Sequence, residues 1–223
     1  MDLERLFVPL AEAGLCVEER AGGSPTIRGI SPPWRSMSYD LGGFREQFVD
    51  TAFDEALAES PDVLGLFNHS EDNVLSRTTS GTLRLGKQPE GLGFAMDAPD
   101  TSLARDLMVL IRRGDISGAS FAFSLRGPKN DSEEFRQEAD GSYTRTVKNA
   151  NIYDVSIVTR PAYPRSTVAL RSFEQFKREQ LTEAERQQLE QRTADHAADA
   201  VRRRRDADIA AASAIARARV YGM

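Results

Sequence analysis

Two histidines occur in the sequence, and their settings differ. His196 stands among Ala and Asp in a stretch dominated by Ala, Glu, Gln and Arg. His69 closes the run Leu64-Gly65-Leu66-Phe67-Asn68-His69, which reads as a short strand. A base that takes a proton near neutral pH is best supplied by a histidine held on ordered backbone, so His69 is the stronger candidate. The competing reading is a histidine at a strand end that merely faces water.

Ser120 lies in Gly118-Ala119-Ser120-Phe121-Ala122-Phe123. Side chains alternate between the two faces of a strand. Phe121, Phe123 and Leu125 therefore share one face, and Ser120, Ala122 and Ser124 share the other. The second face carries only small side chains, which leaves room for a carbonyl to approach a nucleophilic hydroxyl. The Gly-x-Ser-x-Gly elbow of many hydrolases is absent. Taken alone, an ordinary strand face of small residues explains the pattern more simply. Asp154 interrupts the apolar run Ile152 to Val158, where aspartate is disfavoured. A buried acid needs a partner, and one use is to orient a histidine and stabilise its charged form. The alternative is an edge-strand acid that discourages aggregation. His69, Ser120 and Asp154 thus allow a Ser-His-Asp arrangement if the fold brings them together.

The elements that would carry them can be read coarsely. Val63 to His69, Thr82 to Leu85, Ala119 to Leu125 and Ile152 to Val158 are strand-like. Leu103, Leu107, Leu110 and Ile111 recur at helical spacing, with Thr101 as N-cap and Gly114 just past the end. Asp131 to Gly141 is polar and acidic and reads as a surface loop. Residues 1–25 form a leader that ends in the flexible joint Ala21-Gly22-Gly23-Ser24-Pro25. Residues 26–170 mix strands with one central helix, giving an α+β domain built on a sheet or barrel. Residues 171–223 read as a charged helical tail, started by the capping pair Thr182 and Glu185.

Composition narrows the function. The net charge of −5 argues against nucleic acid as the main partner, Arg202 to Arg205 being a local exception. The single cysteine, Cys16, permits no internal disulfide and no cysteine-based zinc site, and fits a reducing setting. No stretch has the character of a secretion signal or a membrane span.

Several short segments, in order and spacing, resemble the tailed-phage (caudovirus) prohead serine proteases. They begin with Ile27-Arg28-Gly29-Ile30 and Leu41-Gly42-Gly43-Phe44-Arg45-Glu46-Gln47-Phe48, followed by Thr51-Ala52-Phe53. Phe67-Asn68-His69, Val74-Leu75-Ser76-Arg77-Thr78 and Ser80-Gly81-Thr82-Leu83-Arg84-Leu85 come next. Gly118 to Phe123 and Asp154 to Pro164 complete the set, so the resemblance spans Ile27 to Leu170. It implies that His69 is the base and Ser120 the nucleophile. The family usually has Glu-Val-Ser where this chain has Asp154-Val155-Ser156; the shorter acid keeps the charge and changes the reach. The family is distantly similar to the herpesvirus assembly proteases, which use a serine with two histidines. Their second histidine opens the strand where Asp154 sits, which favours Asp154 over the acids of the 131–140 loop. An arginine soon after that strand helps form their oxyanion hole, and Arg160 is the nearest equivalent by position.

The resemblance further implies a β-barrel-like protease core with flanking helices and no cofactor. The activity it implies is cleavage of scaffold or capsid-protein delta segments, and of the enzyme itself, by acyl transfer. The partners would be the major capsid protein or the scaffold, inside the assembling prohead in the host cytoplasm, with self-association open. The tail would serve assembly or be removed by self-cleavage. Three rivals remain: a catalytically silent, scaffold-like assembly protein using the tail, a cysteine hydrolase centred on Cys16, and a cellular serine hydrolase outside this family.

Overall fold

The computed structural model describes residues 3–8, 13–19, 24–159, 167–181, 185, 191, 195, 199 and 201–205. The chain divides into two compact units, Met1–Phe173 and Glu174–Met223.

The first unit contains three sheets among the described residues. One has the order β1 (Glu4–Val8), β9 (Gly118–Leu125), β12 (Ala150–Val158), β5 (Leu64–Phe67) and β6 (Ser70–Arg77). A second is ordered β2 (Cys16–Glu18), β3 (Thr26–Pro33), β8 (Gly91–Asp97) and β7 (Leu83–Lys87). The third is β10 (Glu133–Gln137), β11 (Tyr143–Val147) and β4 (Arg45–Phe48). Helix α1 (Asp54–Ala58) follows β4, and α2 (Ser102–Arg113) joins β8 to β9. The single turn α3 (Lys129–Ser132) precedes β10, and α4 (Thr167–Gln180) follows the last strand. Thr101 accepts a hydrogen bond from the Ala104 N–H, and Gly114 takes the left-handed conformation that closes α2.

An α+β fold is present, but among the described residues the sheets do not close into a barrel. Among the described residues each sheet keeps two outer strands. Alternating strands fit either arrangement, because both a barrel and packed open sheets bury one face of each strand. Which strands close on which is decided by long-range pairing.

The core fixes the strand that bears Ser120. Phe121 and Phe123 are fully buried. Phe48 meets them edge-on at centroid distances of 5.3 and 5.0 Å and stacks on Phe53 at 5.6 Å. Each buried Phe contributes about 2–3 kcal/mol, and its ring contacts add to this. β9 is therefore a rigid support with one side locked in aromatic packing.

The acidic segment 131–141 is not the surface loop anticipated from its composition. Part of it forms β10, which pairs antiparallel with β11. Phe135 packs against Phe44 and Phe173, both at 5.5 Å. Its buried acid, Glu133, is tolerated because Arg145, from β11, is buried beside it. The Arg145 guanidinium donates to Glu133 at 2.6 Å and to both carboxylate oxygens of Glu4, at 2.6 and 2.9 Å. It also donates to Glu46. Ser172 donates to the other oxygen of Glu133 at 2.8 Å. These contacts join β1, β4, β10, β11 and α4. Burial pushes the Glu46 carboxyl up to about 7 against the pull of the Arg145 charge, and the Glu4 charge adds to the rise.

In the second unit, the described residues 201–205 are helical, and Gln191 donates to Asp195 across one turn at 2.9 Å. Thr182, expected to cap this helix, and His196 lie outside the described residues. Among the described residues no helix is long and apolar enough to cross a membrane.

Candidate active site

The strand expected to close on His69 ends at Phe67, two residues earlier. In the β5–β6 hairpin Phe67 pairs with Ser70, which leaves Asn68 and His69 as the two-residue turn. Both have φ of 55°. Positive φ at both central positions is the geometry that matches the twist of a hairpin. Asn tolerates it well; a histidine there costs about 1 kcal/mol or more. The turn is tied to β12. The Asn68 N–H donates to the Ile157 carbonyl at 2.9 Å, and the Asn68 side-chain oxygen accepts from the Thr159 N–H at 3.0 Å. Because β5 runs parallel to β12, this fold-back delivers His69 over the middle of that strand.

Asp154 reaches the same place through an irregularity. Ile152 pairs with Phe123, on the core face. Under plain alternation Asp154 would share that face. The register instead shifts between Ile152 and Asp154, so that Tyr153 is an extra residue and Asp154 pairs with Ala122. Ser156 then pairs with Ser120. A bulge of one residue re-aims the side chains that follow it. It puts Asp154 and Ser156 on the face of Ser120 and returns Val155 and Ile157 to the core. Since β12 lies between β9 and β5, Asp154 is not an edge-strand acid.

The structure brings His69, Ser120 and Asp154 together. His69 Nδ1 lies 2.7 Å from Asp154 Oδ1, and His69 Nε2 lies 2.7 Å from Ser120 Oγ. The His69 and Asp154 side chains are only 6% and 10% exposed, so the histidine does not face water. An ionised carboxylate can only accept, so opposite Asp154 the proton of a neutral imidazole belongs on Nδ1. Nε2 is then left to accept the Ser120 hydroxyl. Such an arrangement can remove a proton from Ser120 as its oxygen attacks a carbonyl.

Glu133 and Cys16 stand elsewhere. Glu133, in the 131–140 segment, is engaged with Arg145. Cys16 is exposed on β2. Arg160 lies outside the described residues. Two contributors were not singled out from sequence. Ser156 donates to Asp154 Oδ1 at 2.8 Å and accepts the His69 N–H at 3.2 Å. Asn68 holds the turn. The signals available were the two-residue spacing of Ser156 from Asp154, and an Asn beside the histidine, where a left-handed turn favours it.

No curated protein matches the chain. Among solved structures, the bacteriophage T4 capsid assembly protease gp21 is similar, with 12% sequence identity, a TM-score of 0.45, and coverage of 71% of this chain and 99% of that one. A family model described as caudovirus prohead serine protease matches residues 15–179. That match spans well over half of the sequence, and the chain belongs to the caudovirus prohead serine protease family, a family of serine peptidases.

Proposed function

We propose that this serine peptidase trims scaffold or capsid-protein delta segments, and itself, as the prohead matures. Its machinery would be Ser120 as nucleophile, His69 as base and Asp154 as the acid that orients the base. The supporting observation is the continuous chain of contacts from Asp154 Oδ1 through both nitrogens of His69 to Ser120 Oγ, each 2.7 Å long.

Ser120 Oγ attacks the scissile carbonyl as its proton moves to His69 Nε2. Asp154 stabilises the imidazolium that forms, without itself taking the proton. His69 then gives the proton to the leaving amine, which departs and leaves an ester on Ser120. Water, deprotonated by His69, hydrolyses that ester and restores the hydroxyl. The position of Arg160 by analogy makes it a candidate contributor to oxyanion stabilisation.

Residues 26–170 would form the protease domain, with 1–25 as leader and 171–223 as a tail that serves assembly or is removed. Arg202 to Arg205 are exposed, which supports their use as a contact for acidic shell surfaces or as a cut site. The site of action would be the interior of the assembling prohead in the host cytoplasm.

Co-expression with the capsid and scaffold proteins of the same phage tests this. Intact-mass measurement should show shortened chains with wild type and full-length chains with Ser120→Ala and His69→Ala. Full-length chains in all three, with shells still forming, would favour the silent scaffold-like role instead.

A further inference from the structure

Ser156 is buried completely, and its hydroxyl makes two contacts that meet the catalytic candidates from different sides. It donates to Asp154 Oδ1, the same oxygen that faces His69 Nδ1. It also accepts the backbone N–H of His69, at the strained second position of the hairpin turn. One hydroxyl has a single donor and two acceptor lone pairs, so both bonds can form at once. The Asp154 side chain and the His69 backbone are thereby fixed to a common atom on β12. That atom sits directly across from Ser120 in the β9–β12 register.

The separation that matters is the one between His69 Nδ1 and Asp154. It depends on two elements, the β5–β6 turn and β12 after its bulge. Asn68 ties the turn to the far end of β12 through Ile157 and Thr159. Only Ser156 links the backbone of His69 itself to the carboxylate among these contacts.

We propose that Ser156 is a positioning residue for the Asp154–His69 pair: it sets the pair's geometry. The proposal rests on the triad reading given above. It goes beyond that reading in giving a buried, non-reacting serine a share in the rate.

The test is the rate of fluorophosphonate labelling at Ser120, followed by mass spectrometry. It compares wild type, Ser156→Ala and Ser156→Thr at temperatures where thermal unfolding shows each to be folded. Ser156→Ala removes both contacts. Its labelling rate should fall roughly 10- to 100-fold, the scale of one hydrogen bond to a charged group. Ser156→Thr keeps the hydroxyl and should restore most of the rate. A merely structural serine would lower the melting temperature and leave the labelling rate of the folded protein unchanged. If wild type labels Ser120 and Ser156→Ala matches it in rate, the proposal fails and the triad stands. It fails equally if the rate falls and folded Ser156→Thr is no better. If wild type is not labelled at Ser120, the triad reading itself is lost, and the role of Ser156 with it.

Discussion

Ser120 can act as a nucleophile only while His69 Nε2 is free to accept its proton. That condition depends on what faces Nδ1. Asp154 Oδ1 lies 2.7 Å from that nitrogen, where it would hold the proton. Asp154→Asn keeps the size of the side chain but offers an amide that can donate, which admits the wrong tautomer. The peptide-cleavage rate should fall by on the order of 10,000-fold, with the melting temperature little changed. A variant within tenfold of wild type would show that another group orients His69. The candidates themselves were legible in the sequence for simple reasons. There are two histidines, and one follows an apolar run. Ser120 has small neighbours on its own face. Asp154 is a costly residue inside an apolar strand. Their meeting was not legible, because 51 residues separate His69 from Ser120 and 85 separate it from Asp154.

At the scale of elements, a turn and a bulge do the aiming. The bulge at Tyr153 left a trace in the sequence that alternation alone misreads. Ile152, Val155 and Ile157 all face the core, yet the first interval is odd and the second even. Period-two logic allows no odd interval between residues on one face, so an extra residue must stand between them. The turn was harder to read, because a strand end and the second turn position look alike in sequence. Asn68 tests the turn. Asn68→Val forces a β-branched residue to φ of 55° and removes the acceptor for the Thr159 N–H. Denaturant unfolding should show a loss of about 1–2 kcal/mol or more, and labelling of Ser120 should slow. Asn68→Gly tolerates the turn and should be milder on both counts. Equal effects of Val and Gly would contradict a left-handed Asn68.

At the scale of the molecule, five elements of the first unit are joined by a feature that composition concealed. The segment from Asp131 looked like a solvated loop because it is polar and acidic, yet Glu133 within it is buried. The compensation comes from Arg145 in β11, which reaches three carboxylates from three other strands. Arg145→Met would remove the guanidinium that pairs with the buried Glu4, Glu46 and Glu133. Urea unfolding should report a loss of about 3–5 kcal/mol, and a loss below 1 kcal/mol would contradict the central place of Arg145. The same cluster makes stability depend on pH. Glu46 is raised from 4.5 in the unfolded chain to about 7 in the fold. Below 4.5 both states hold the proton, and this contribution is fully present. As pH rises toward 7 the unfolded chain releases it first, so stability falls, on the order of 3 kcal/mol in all. The difference in unfolding free energy between wild type and Glu46→Gln should therefore move against wild type across that window. Parallel curves would show that Glu46 does not carry the effect.

The most direct measurement is the site of covalent modification by a fluorophosphonate. The account predicts one adduct, on the peptide that holds Ser120, and its loss in His69→Ala with the fold intact. An adduct on a different residue, or undiminished labelling without His69, would contradict the assignment of Ser120 and His69 as nucleophile and base.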